Sequence, residues 1–146
     1  MATHKPALEK KYYTPLEANR ALPLVRAIVQ DIAELSRDLR ERQDRLTRVQ
    51  PPKRGSLTPA YQEELQLAQA EFERDRERLG EFEQELKNLG VELKDDFTGL
   101  IDFPCWMDNR EVYLCWRLGE KEVAFWHEID AGFAGRQRLK GHPADN

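Results

Sequence analysis

Thr14-Pro15 and Thr58-Pro59 carry the same helix-starting signature, and the apolar stripe downstream of each constrains this chain more than any other feature. A threonine hydroxyl accepts from the open N–H groups of a first helical turn. Proline fits the first helical position because its φ is pre-set and its missing N–H has no partner there. Glu17, three residues after Thr14, completes a reciprocal capping box. Downstream, Leu22, Val25, Val29, Ile32, Ser36, Leu39, Gln43 and Leu46 recur in alternating steps of three and four, with Ile28 and Leu35 widening the stripe. Leu65, Ala68, Phe72, Asp75, Leu79, Phe82, Leu86 and Leu89 repeat that spacing after the second start. Each set lies on one face of a helix. The spacing predicts helix 1 over 14–50, a connection over 51–57, and helix 2 over 58–89, ended by Gly90. Pro23 predicts a kink two turns into helix 1.

A short connection makes sequential helices neighbours, so an antiparallel, coiled-coil-like hairpin is expected. Charge supports the pairing: residues 59–89 carry nine acids against four bases, and residues 37–54 carry seven bases against three acids. The richest apolar segments, 16–35 and 72–89, then meet at the base, leaving a polar, basic tip. Ser36, Gln43 and Asp75 put polar layers in the seam, which sets register or partner choice at some cost in stability.

Residues 91–129 read as a β-meander. Val91-Glu92-Leu93-Lys94 alternates, Asp95-Asp96-Phe97-Thr98-Gly99 is a turn, and strands follow at Leu100–Met107, 111–118 and 123–129. A two-residue turn at Asp108-Asn109 sets the register. Cys105 then faces Val112, Phe103 faces Leu114, and Ile101 faces Trp116, all on one apolar face that packs on the hairpin base. The opposite face pairs Asp102 with Cys115 and Leu100 with Arg117, with Tyr113, Trp106, Trp126 and Glu128 nearby. Cys105 and Cys115 point to opposite faces, which excludes a disulfide between them. The expected fold class is therefore α+β, one domain over 1–146: a helical hairpin, a four-strand antiparallel meander, and a C-terminal segment over 130–146.

Functional residue types are densest on the meander. Asp102, Tyr113, Arg117, Trp126, His127 and Arg136 form a candidate ligand site, in which rings stack on a planar group and arginine clamps an anion. The competing reading is an Asp102–Arg117 cross-strand pair beside a partly exposed aromatic surface. A metal site would draw on Cys115, His127, Glu128 and Asp130, but residues 127 and 128 point to opposite faces of a strand. No C-x-x-C or H-E-x-x-H spacing is present, and no metal or other cofactor is expected. A Cys115–His127 nucleophile pair lacks an orienting third group. Gly132-Phe133-Ala134-Gly135-Arg136-Gln137 reads as a wrap over the sheet anchored by Phe133, with an anion-binding backbone nest as the alternative.

Two cysteines make no disulfide framework, no apolar run reaches bilayer length, and residues 1–6 contain no apolar leader core. A cytoplasmic protein is expected. A net charge of -4 argues against nucleic acid as the main partner, leaving Arg45, Arg48, Lys53 and Arg54 at the tip as the one basic patch that touches RNA, DNA or the ribosome in that alternative.

Several runs carry a family resemblance. These are Tyr13-Thr14-Pro15-Leu16-Glu17-Ala18-Asn19, Gly99-Leu100-Ile101-Asp102-Phe103-Pro104, Val112-Tyr113-Leu114-Cys115-Trp116-Arg117-Leu118-Gly119-Glu120, and Trp126-His127-Glu128 followed by Ala131-Gly132-Phe133-Ala134-Gly135-Arg136. Together they resemble a prokaryotic family of small uncharacterised proteins, a domain of unknown function. The resemblance implies a cytoplasmic bacterial or archaeal protein and no particular activity. The leading expectation is a non-enzymatic interaction or assembly module, whose hairpin dimerises or docks a helical protein partner. A small-molecule or enzymatic site on the meander is the alternative.

Overall fold

A computed structural model describes residues 10–48 and 58–140. Helices α1 (Pro15–Arg48) and α2 (Pro59–Asn88) precede strands β1 (Glu92–Asp95), β2 (Leu100–Met107), β3 (Arg110–Arg117), β4 (Phe125–Glu128) and β5 (Gln137–Arg138). A 3-10 turn, Phe133–Gly135, lies between the last two strands. All neighbours pair antiparallel in the order β1-β2-β3-β4-β5. The sheet therefore has five strands where the sequence predicts four. The extra one lies in the C-terminal segment, pairing Gln137 with Trp126 and Arg138 with Phe125. Two residues are too few to carry a period-two signal, and Gly132 and Gly135 just before them read as loop. The predicted connection over 51–57, including Lys53 and Arg54, lies outside the described residues.

Both helix starts have the expected chemistry. Thr14 N–H donates to Glu17 Oε1 at 2.9 Å, and Glu17 N–H donates to Thr14 Oγ1 at 3.1 Å. Tyr61 N–H donates to Thr58 Oγ1 at 3.1 Å. α1 continues as helix through Pro23, whose ring faces solvent. The preceding turn is held to the connection between β3 and β4 by Asn19, whose amide donates to Val123 O at 3.1 Å and accepts from Val123 N at 2.8 Å.

The turn between β2 and β3 sets the sheet. Asp108 and Asn109 both take left-handed backbone, with φ of 51° and 62°, as a two-residue hairpin whose twist matches its strands requires. Cys105 then faces Val112, Phe103 faces Leu114 and Ile101 faces Trp116, as the sequence predicts. These six side chains are at most 3 % exposed and pack with Leu22, Val25, Val29 and Ile32 of α1 in one core. Burial of that size is the main stabilising contribution, on the order of 2 kcal/mol per large apolar side chain. At Gly99 the sheet approaches α1 closely: with φ of 70°, an added Cβ would sit 2.8 Å from Val29 Cγ1 and 2.7 Å from Leu118 Cβ.

The two helices contribute unequally. α1 buries nine residues, whereas Leu86 alone is fully buried in α2. Of the polar stripe positions, Ser36 is buried and donates to Asp96 Oδ2 at 3.1 Å, in the turn between β1 and β2. Asp75 accepts from Arg42 at 2.6 Å, joining α2 to α1, and Gln43 is exposed. Among the described residues no helix is long and apolar enough to cross a membrane.

Candidate functional site

Alternation along β2, β3 and β4 puts Asp102, Cys115, Tyr113 and His127 on the sheet face opposite α1, with Asp102 across from Cys115 and Tyr113 across from His127. Asp102, Cys115 and His127 are only 1–2 % exposed. His127 Nε2 lies 3.0 Å from Asp102 Oδ1, and Nδ1 lies 2.7 Å from the Glu128 carbonyl oxygen. A carbonyl can only accept, so Nδ1 carries the proton and Nε2 turns its other valence towards Asp102. One donor atom from each of Asp102, Cys115 and His127 falls within 4.8 Å of the other two.

Electrostatics follow from this burial. The Asp102 carboxyl is raised by loss of hydration, partly offset by its hydrogen bond to His127. The Cys115 thiol is pushed up to about 12, chiefly by burial and then by Asp102, against the pull of Arg136. Tyr113 is also raised, first by burial and then by donating its hydroxyl to Glu92 Oε2 at 3.0 Å. Tyr113 and His127 rings stand 5.6 Å apart at a tilt of 51°.

The C-terminal segment closes over this face. Arg136 lies between two rings, 3.9 Å from the Phe125 centroid and 4.2 Å from that of Phe133, and pairs with Glu120 at 2.6 Å. Phe133 is half-buried beneath Arg136 and Arg117, while Leu139, farther along the same segment, is the residue that enters the apolar core. Arg136 is thus charge-paired with Glu120. At the start of the central strand β3, Lys10 and Tyr12 both donate to Glu111.

Of the six predicted site residues, Asp102, Tyr113 and His127 come together, and Arg136 reaches the cluster through Cys115. Arg117 does not pair with Asp102; it is exposed and covers Phe133 at 4.9 Å. Trp126 faces the other way. It is opposite Leu114, packs against the apolar core, and carries Arg110 over its ring at 5.6 Å. Glu128 is likewise not in the cluster, since it is opposite Val112 and bridges to Arg110. The alternation itself requires this, because His127 and Trp126 are sequence neighbours on a strand. Asp102 is the partner of His127 that the sequence reading lacks, and with Nδ1 on the Glu128 carbonyl it leaves no ring nitrogen to serve as base to Cys115. Setting Tyr113 opposite His127 across the β3–β4 turn would have revealed it, but a turn containing Gly119 and several polar residues leaves that register open.

A family of uncharacterized conserved proteins, DUF2203, matches residues 11–139. The chain belongs to this family. The matched range spans both helices, all five strands and every member of the buried cluster. No curated protein and no solved structure matches the chain.

Proposed function

We propose that this DUF2203 chain is a cytoplasmic, prokaryotic assembly module, in which the two helices form an antiparallel, coiled-coil-like hairpin that dimerises through its distal half. The observation that carries this reading is the poor cover of α2. Leu65 is 37 % exposed, and across the helix pair Leu46 is 39 % exposed. Leu46, Ala68 and Phe72 also line a groove of about 220 Å³ between the helices, rimmed by Arg42, Arg45 and Glu71. Apolar positions recurring at helical spacing along an uncovered face suit a helical partner.

Charge selects a second copy as that partner. Acids dominate α2 and bases dominate distal α1, yet Arg42–Asp75 is the ion pair that joins the two helices among the described residues. Other charges of both signs remain for a self-complementary face. The reading is non-enzymatic because Cys115 and His127, the nucleophile and base candidates, are closed to substrate. Unpaired Cys105 and Cys115 suit a reducing cytoplasm.

Light scattering across micromolar concentrations tests the proposal. A dimer is expected, and the double variant Leu46→Asp/Leu65→Asp is expected to be a monomer with unchanged sheet signals. A wild-type monomer throughout that range overturns self-assembly and leaves a different helical protein as the partner.

A further inference from the structure

The buried cluster has a proton inventory that asks for a cation. With Nδ1–H given to the Glu128 carbonyl, Nε2 presents a lone pair to a carboxylate oxygen 3.0 Å away. Two lone pairs do not meet at that distance without a positive species between them, which is either a proton or a metal ion. A proton satisfies Nε2 and Oδ1 alone. It does not account for the third donor, Cys115, whose sulfur converges on the same point from the middle strand.

We propose that Asp102, Cys115 and His127 form a binding site for a divalent transition-metal ion of the zinc type, buried between the sheet and the C-terminal segment. Four features favour it. The donor set of one thiolate, one imidazole and one carboxylate is soft to borderline, which suits Zn2+ and Co2+ and disfavours Mg2+ and Ca2+. Charge balances: a carboxylate and a thiolate neutralise one divalent ion, so the filled site buries no net charge. Nδ1 is already anchored on a backbone carbonyl, the usual outer-shell contact that orients a ligating imidazole. Arg136 stands beside Cys115, where its positive charge favours the thiolate that a metal ion needs.

Binding is a substitution without redox chemistry. The ion replaces the thiol proton of Cys115 and the proton shared by Asp102 and His127, and both protons leave to solvent. Three protein donors leave one tetrahedral position for a ligand from outside this set. The sequence shows no metal-ligand spacing, and its candidate donors beside Cys115 and His127 are Glu128 and Asp130; the strand register brings Asp102 to that pair.

The test uses Co2+, whose thiolate charge-transfer band reports sulfur ligation directly. Purified full-length protein is stripped with chelator, then titrated with Co2+ both when folded and during refolding from denaturant, so that a closed route into the site cannot hide it. One equivalent per chain is expected, with a charge-transfer band that Zn2+ displaces. The band is expected to vanish in Cys115→Ser and persist in Cys105→Ser, whose thiol lies on the other face of the sheet. His127→Gln is expected to weaken Co2+ binding at least tenfold, and circular dichroism establishes that each variant folds. Should Cys115→Ser not fold, the wild type still decides through the 15N shift of His127 Nε2, which metal moves and a proton-only dyad leaves fixed. Absence of the band in folded and refolded wild type overturns the proposal. So does a band retained in Cys115→Ser, which marks binding elsewhere on the chain. The dimerisation reading rests on the distal helices and is unaffected by either result.

Discussion

The two faces of the sheet are buried to the same degree by opposite means. Towards α1, Ile101, Phe103, Val112, Leu114 and Trp116 are wholly excluded from solvent and ask nothing of one another beyond shape. On the other face, Asp102 and His127 are 2 % exposed, and each is tolerable there only because the other is present. Apolar burial is non-directional and roughly proportional to area. Buried ionisable groups act pairwise, and removing one partner leaves the other's desolvation uncompensated. One face therefore holds the fold together. The other is a specific arrangement in which the cost of burying two ionisable groups is offset only while both are present.

Substitutions on each face should separate these two modes. Trp116→Ala carries the largest expected effect. Its ring is fully buried and its Nε1–H donates to Glu120 O at 3.1 Å, so both a cavity and an orphaned carbonyl result. A loss of about 4–5 kcal/mol is expected in urea unfolding, enough to leave the variant marginal. Asp102→Ala comes next, at about 3 kcal/mol in chelated protein, because Nε2 of His127 loses its buried partner. Asp102→Asn discriminates the mechanisms. Its side-chain N–H donates to the Nε2 lone pair without needing a shared proton, so its cost is expected to stay below about 1.5 kcal/mol. Equal costs for the two Asp102 variants would show that the carboxylate charge, which both remove, holds this face, and that a neutral hydrogen bond to Nε2 does not replace it.

The smallest effect is a pH dependence at the start of the central strand β3. Burial alone would raise the Glu111 carboxyl, but hydrogen bonds from Lys10 and Tyr12 outweigh it and hold it below the usual range. A carboxyl lowered on folding contributes stability above its unfolded pKa and loses it as pH falls through the folded value. Wild type and Glu111→Gln should therefore differ at pH 7 by less than about 1 kcal/mol, a partly exposed pair being screened. The difference should shrink progressively below about pH 4. A gap that stays constant down to pH 2 would mean that Lys10 and Tyr12 contribute nothing through charge.

Much of this architecture was legible before any tertiary contact was known, because its signals are local. Two capped prolines, two stripes in steps of three and four, and a two-residue Asp108-Asn109 turn act within a few residues of themselves. That turn also transmits its register along eight cross-strand pairs, so the apolar face could be written down residue by residue. What escaped were features that depend on elements meeting at a distance. β5 is two residues long and exists because β4 offers it an edge. Trp126 and His127 were grouped as one site although a strand must send neighbours to opposite faces, and only the β3–β4 register says which goes where.

By itself, the sequence determined the helices, the central hairpin and the face that would be oily, since backbone geometry and periodicity suffice for each. Only the tertiary structure decided that His127 joins Asp102 and Cys115, which the Asp108-Asn109 register already pairs, at one buried point. Their meeting depends on three strands and a covering C-terminal segment falling into register together. No spacing along the chain encodes that coincidence.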